Sequence, residues 1–295
     1  SDYLRSVVAF DPVGEPDTFS CPEDKDARYK RCQNSVDYNI CNGMVRQVSE
    51  PQQKLHAKFC FACHFNEAIP NLDIDGHLAL WQKLETAKRR TLYTLIALGL
   101  SVPDRQDNPE SGLSFSFLAD KSAADHFSTS LTEHNPVFTG HDNGEITINL
   151  AEADDVARAK IRVAMGEQYR TLLGHFRHET GHFYWDQLIR SDETRLEKFR
   201  SVFGDEREDY QAALDSHYQS GPPENWSESY ISAYATMHPW EDWAETWAHY
   251  LHMLDTLETA QSFGLQLELS RQPAESASVA NLQLPQEDNY CSQQK

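Results

Sequence analysis

The sequence predicts a helix-rich α+β fold preceded by a small cysteine-rich module. Three observations carry that expectation. Five of the six cysteines fall within the first 63 residues. Apolar residues then recur at helical spacing over long segments near 77–100, 167–189 and 239–260. Short alternating stretches between them read as strands. At 295 residues, with 39% hydrophobic and 24% charged content, the chain can bury the core of an ordinary globular protein.

Residues 1–75 contain Pro12, Pro16, Pro22, Pro51 and Pro70 and little periodicity, so they are expected to be loop-rich and to form one module. From His77 the pattern changes: Leu80, Trp81, Leu84, Ala87, Leu92, Leu95 and Ile96 repeat at helical spacing, and Pro103 follows the expected stop. The strongest basic cluster, Lys88-Arg89-Arg90, is expected on a solvated face of this helix. Residues 101–145 are polar and turn-rich, with a strand-like Leu113-Ser114-Phe115-Ser116-Phe117. Gly140-His141-Asp142-Asn143-Gly144 then turns into an expected strand, Ile146–Leu150.

A helix is expected from about Ala153 and a strong one from Glu167 to Ile189. Shorter helices broken by Gly221-Pro222-Pro223 should fill 191–237. Pro239 suits the first turn of a helix running to about Ala260 and stopping near Gly264. These elements define an expected domain at 76–265, followed by a Gln-, Ser- and Ala-rich flexible tail at 266–295. There is no internal repeat.

The net charge of −20 argues against a nucleic-acid partner, because phosphate binding needs clustered Lys and Arg. No apolar run is long enough to span a bilayer, so no membrane partner is expected. The N-terminal Ser-Asp-Tyr-Leu-Arg lacks the basic-then-apolar layout of a secretory signal. Tightly clustered cysteines with a C-x-x-C pair favour metal over disulfides, which implies a reducing compartment, the cytoplasm.

Chemistry concentrates in His178-Glu179-Thr180-Gly181-His182, an H-E-x-x-H motif. On a helix, positions i and i+4 lie one above the other, so both imidazoles can reach one ion while Glu179 can accept the proton of an activated water. A composition with 13 histidines produces such a match by chance about 0.04 times per chain, so context has to decide. The apolar flanks Leu172, Leu173, Phe176 and Phe183 supply the required helix.

A catalytic zinc takes three protein ligands and keeps a position for water. The third should come from Pro239-Trp240-Glu241-Asp242-Trp243-Ala244-Glu245, where two carboxylates one turn apart share an apolar helix face. Unpaired buried charge is costly, so that face needs a cation or a histidine. Either Glu241 ligates and Glu245 supports, or Glu245 ligates with His249 beside it. Candidates for stabilising a reaction oxyanion are Tyr234, His238 and His252. His175 reads as a neighbour, and Asp186 as a surface aspartate able to reach His182.

Cys60-Phe61-Ala62-Cys63 has the spacing of one zinc knuckle, and Cys32 with Cys41 is the natural second pair. Four sulfurs would make a closed, structural site. Cys21 and His64 compete as ligands, and Cys291 has no assigned role. The expected cofactors are thus two zinc ions, one catalytic and one structural.

Long stretches match a known pattern: Arg31-Cys32, Cys41-Asn42, Lys88-Arg89-Arg90, Leu118-Ala119-Asp120, Thr139–Gly144, Ile146–Asp155, Tyr169–Glu179 and His238–His252. Over residues 25–265 the sequence resembles a bacterial family of zinc-binding metallopeptidases with an N-terminal zinc ribbon. That resemblance implies a zincin-like catalytic domain of the glutamate-ligand kind and hydrolysis of peptide bonds in a peptide or protein substrate. It assigns metal ligation to His178, His182 and Glu241, support to Glu245, proton transfer to Glu179, and prefers Tyr234 over His238 as the electrophile. It also implies an edge strand at Ile146–Leu150, to which a substrate backbone could add; the residues alone allow ordinary sheet core equally. Two rival functions fit the same residues: a non-peptide amide hydrolase, and a zinc-stabilised binding module with a vestigial centre.

Overall fold

The computed structural model describes residues 11–14, 17–21, 24–47, 58–105, 107–120, 139–164 and 171–265. They form two compact units, one holding the residues up to Leu92 and Val102–Phe176, the other Tyr93–Ser101 and the residues from Arg177 onward. The architecture is helix-rich α+β with a four-cysteine cluster in its N-terminal part.

In the first unit, β1 (Asp11–Pro12), β2 (Thr18–Cys21), β3 (Asp24–Arg31) and β4 (Met44–Gln47) form an antiparallel sheet in chain order. This corrects the loop-rich expectation for the N-terminal residues. β3 alternates, with Ala27 and Tyr29 buried between exposed Asp26, Arg28 and Lys30. Among the described residues those two and Met44, with Phe19 against them, form a small core cluster of the sheet. A period-two signal resting on so few inward side chains is faint beside five prolines.

Helix α1 (Gln33–Tyr38) links β3 to β4, and the short α2 (Phe61–His64) leads into β5 (Asn66–Ala68). A second sheet has the order β5, β6 (Ser114–Leu118), β8 (Glu145–Asn149), β7 (Gly140–Asp142). β5, β6 and β8 run parallel and β7 is antiparallel to β8. Ser114 to Phe117 are all buried, as expected of a strand covered on both faces. The expected edge strand is therefore an interior one: β8 lies between β6 and β7, and among the described residues β7 is the outer strand. The cause is the Asn143-Gly144 turn, whose φ angles of 45° and 86° suit a tight hairpin that folds β7 onto β8.

Helix α3 (His77–Ala97) buries Trp81, Leu84, Leu92 and Leu95 in one stripe. Lys88 falls in that stripe, so the solvated-face expectation for the basic cluster fails. Its ammonium is fully buried, 2.9 Å from Glu85 Oε1. It also donates to Asn66 Oδ1 and stands 5.7 and 5.5 Å from the ring centres of Phe115 and Phe117. Arg89 donates to the Ile40 carbonyl, and Arg90 alone is exposed. Helix α4 (Asp155–Ala164) follows β8 after a 3₁₀ turn at Leu150–Ala153.

The second unit is helical. Its long helices are α5 (Leu172–Leu188) and α8 (Pro239–Ser262), with α6 (Glu193–Phe203) and α7 (Tyr210–Ser220) between. The Thr171 hydroxyl accepts from Gly174 N–H at the start of α5. The expected earlier start, including Tyr169, lies outside the described residues, as does the expected tail. Asp192 and Asp209 cap α6 and α7 with side-chain hydrogen bonds. Trp185, Ile189 and Phe199, with Leu196, Phe203, Trp240 and Trp243, form an apolar cluster. Among the described residues no helix is long and apolar enough to cross a membrane.

Candidate metal centres

Helix α5 stacks His178 and His182 one turn apart, with ring centres 4.9 Å apart. Helix α8 can come close because Gly181 has no side chain: a Cβ there would lie 2.9 Å from the Cα of Ala244. Trp243 Nε1 donates to the Gly181 carbonyl at 2.8 Å, tying the helices at the same level. Glu241, in the first turn of α8 and 2% exposed, thereby meets both histidines. Its Oε2 lies 2.9 Å from His178 Nε2 and its Oε1 lies 3.4 Å from His182 Nε2. One donor atom from each of the three buried residues lies within 4.8 Å of the others.

The second carboxylate does something different. Glu245 Oε1 is 2.7 Å from His178 Nδ1. An ionised carboxylate only accepts, so Nδ1 carries a proton, and at 2.9 Å Nε2 meets Glu241 through positive charge, supplied either by a second proton or by a bound cation. Burial disfavours a charged His178, yet Glu241 and Glu245 override it and hold its pKa well above the ordinary value. Burial likewise works against an ionised Glu241, and His182 and His178 together hold its carboxyl well below the usual range. The three groups thus call for a cation at their common focus. Two imidazole nitrogens and a carboxylate oxygen are a donor set that suits zinc and leaves a fourth position open.

Glu179 is buried beside these ligands, close enough to help raise the pKa of Tyr210 after burial and Glu241 have done most. Tyr234 sits in a 3₁₀ turn, Tyr234–Thr236, with its ring centre 6.1 Å from that of His178. Burial first, then the charge of Glu241, push its phenol pKa up, so it stays a neutral donor.

His238 is engaged elsewhere. Its Nδ1 accepts from Trp240 N–H at 3.1 Å and caps α8, which leaves Nε2 to donate to the Glu208 carbonyl at 3.2 Å. His249 Nδ1 lies 2.8 Å from the Glu245 backbone carbonyl, and His252 Nδ1 lies 2.6 Å from Arg177 Nη1. His175 approaches Glu152 at 3.5 Å, and Asp186 pairs with Arg190 at 3.2 Å. One neighbour was not foreseen: the Tyr210 hydroxyl donates to Glu241 Oε1 at 2.9 Å. No spacing rule links a tyrosine opening α7 to a glutamate on α8.

The second centre is sulfur. Cys32, Cys41, Cys60 and Cys63 are buried, unbridged, and place their Sγ atoms within 4.8 Å of one another. Cys32 follows β3, Cys41 precedes β4, Cys60 is the N-cap of α2 and Cys63 lies within that helix. Cys60 N–H donates to Cys32 Sγ at 3.3 Å. Gly43 is required here, because a Cβ would lie 2.3 Å from Cys60 Sγ. Hydrogen bonding among the thiols pulls Cys32 down and pushes Cys41 and Cys60 up, the response of sulfurs that must share negative charge without a cation. A Cys₄ zinc site fits this donor set. His64 is not part of it, being held 2.6 Å from Asp104. The Cys21 side chain and Cys291 lie outside the described residues.

Comparison with known proteins points to zinc binding in both parts of the chain. A zinc-ribbon domain model matches residues 2–74. The family described as "Putative zinc-binding metallo-peptidase" matches residues 77–290. Uncharacterized proteins Mb2598c of Mycobacterium bovis, MT2644 and Rv2568c of Mycobacterium tuberculosis are each 44% identical over 240 residues, 81% of this chain. The chain spans 65% of the length of these relatives. No solved structure matches it. With the family model covering most of its length, and an H-E-x-x-H helix facing a glutamate helix, the chain belongs to this zinc-binding metallopeptidase family and carries a zinc-ribbon domain ahead of it.

Proposed function

We propose that the chain is a zinc-dependent peptidase whose metal is held by His178 Nε2, His182 Nε2 and Glu241, with Glu179 as the general base. The observation that carries this reading is the convergence of these three buried ligands while Glu245 holds His178 Nδ1 at 2.7 Å. That contact fixes the tautomer in which Nε2 is free to ligate, a task that carboxylates next to zinc ligands perform. It also favours Glu241 over Glu245 as the ligand, since the Glu245 oxygen is already spoken for. Bound there, zinc supplies Lewis-acid polarisation of a water molecule and of the scissile carbonyl.

The chain's own residues do the rest. Glu179 takes the proton of the attacking water and delivers it to the departing amine. Tyr234, kept neutral by burial and by Glu241, donates a hydrogen bond to the developing oxyanion. His238 is reassigned from electrophile to helix cap, because both of its ring nitrogens serve backbone partners. The four cysteines hold a second, closed zinc that organises the N-terminal sheet. A vestigial binding module would have no use for a buried Glu179.

A comparison of protein N-termini in cells carrying wild type or Glu179→Gln tests the reading. New N-termini should appear with wild type and vanish with the variant, which keeps its fold and zinc. Identical sets of N-termini would refute the peptidase assignment.

A further inference from the structure

None of the residues of helix α7 is fully buried, so its apolar packing is thin. Its first residue does something more specific. The Tyr210 hydroxyl donates to Glu241 Oε1 at 2.9 Å although the residue is 37% exposed overall. Its ring meets those of His238 and Trp240 edge-on, with centres 5.3 and 6.3 Å away. Meanwhile the other oxygen of Glu241, Oε2, lies 2.9 Å from His178 Nε2. The two oxygens of one carboxylate therefore have different surroundings: Oε1 accepts from a phenol and stands 3.4 Å from His182 Nε2, whereas Oε2 makes the closer approach, 2.9 Å, to His178 Nε2.

The geometry points to Tyr210 as a positioning residue for the metal-binding carboxylate, its phenol engaging Oε1 of Glu241 and so favouring Oε2 as the atom that meets the cation. This rests on the proposed metal site at His178, His182 and Glu241. A free carboxylate can grip a cation through one oxygen or through both. Gripping through both would fill the coordination position that hydrolysis needs for water. A hydrogen bond to one oxygen biases the choice toward single-oxygen ligation and removes rotational freedom from the ligand before metal arrives. The same contact orders two neighbouring phenols: Tyr210 gives its proton to Glu241 and accepts from the Tyr234 hydroxyl, so the two stand in a chain that ends on the carboxylate.

Tyr210→Phe isolates the hydroxyl, since the ring and its edge contacts remain. Zinc affinity of the open site should be measured by chelator competition on protein whose cysteine site stays loaded, with His178→Ala as the variant lacking the site. Tyr210→Phe should weaken zinc binding by about 10- to 100-fold, the usual loss for a partner of a ligand. Tyr234→Phe, which keeps the Tyr210–Glu241 contact, should weaken it less than Tyr210→Phe does. Cobalt(II) substituted at the open site gives a second reading that a merely structural role would not move. Its visible absorption should weaken in Tyr210→Phe as Glu241 becomes two-toothed and the coordination number rises. Unchanged zinc affinity and an unchanged cobalt spectrum in Tyr210→Phe would overturn the inference while leaving the metal site intact. If wild type and His178→Ala bind the same amount of zinc with the same affinity, the metal-site reading itself falls, and this inference with it.

Discussion

Gly181→Ala tests how the site is built, because two effects of similar size oppose each other there. Gly181 lies inside α5 between the ligand histidines, and alanine is favoured over glycine in a helix interior by about 1 kcal/mol. Propensity alone therefore predicts a more stable protein. Against this, the added Cβ would stand 2.9 Å from Ala244 Cα, 3.2 Å from Trp247 Cβ and 3.3 Å from Ala244 Cβ. Carbon atoms pack comfortably at about 3.5–4.0 Å, so α8 has to retreat by roughly 0.5–1 Å. The nearest atom is backbone and cannot rotate aside. Overpacking of this kind costs about 1–3 kcal/mol, so the net change is a loss of up to about 2 kcal/mol. At about 2–4 °C per kcal/mol, the melting temperature should fall by several degrees. The larger consequence is for zinc. Ala244 lies on α8 between Glu241 and Glu245, so its retreat carries Glu241 away from its 2.9 Å approach to His178. Open-site zinc affinity should drop by about 10-fold or more. Thermal unfolding with and without zinc, beside a chelator titration, reads both quantities. A variant that melts above wild type and binds zinc as tightly would refute the close-approach argument.

The remaining expectations concern the ligands and the buried charges. Glu241→Ala should abolish open-site zinc binding, whereas Glu245→Ala should weaken it by about 10- to 100-fold; the reverse order, read by the same titration, would exchange their roles. Elemental analysis should approach two zinc ions per chain. Mild chelation should remove the open-site ion first with the fold intact, and only harsher chelation should unfold the cysteine module; simultaneous loss of both would contradict two separate centres. Lys88→Met should destabilise by about 3–5 kcal/mol, since it strands the fully buried Glu85. Lys88→Met with Glu85→Gln should recover much of that loss in denaturant titrations, and a single variant as stable as the double would show that the pair is not coupled.

What could be read from the residues alone follows from the range of the forces involved. Helices α3, α5 and α8 were legible because each repeats its apolar face over many turns, and because Pro239 and Gly264 mark the ends of α8. The His178, His182 and Glu241 set was legible because a helix converts spacing into direction. Where one residue's role depends on a partner far along the chain, periodicity says nothing. Lys88 reads as a surface charge until Glu85, Asn66 and two phenylalanine rings are seen around it. β7 is three residues long and acquires meaning only by pairing with β8.

Tyr210, Tyr234 and His238 carry the same lesson into the chemistry. His238 is three residues from Glu241, which made it a natural candidate, yet proximity along the chain is what commits it to capping α8. Tyr210 is 31 residues away and touches the carboxylate directly. A polar side chain is least available to a substrate when the backbone or a charged group already claims it. By that criterion His238 is occupied by the Trp240 N–H and the Glu208 carbonyl, and Tyr210 is occupied by Glu241. Tyr234, neutral and beside His178, donates to a neutral acceptor, the Tyr210 oxygen, which a charged oxyanion outcompetes, so Tyr234→Phe should lower turnover far more than His238→Gln, whose main effect should be on the stability of α8. The opposite ranking would return the electrophile's role to the histidine.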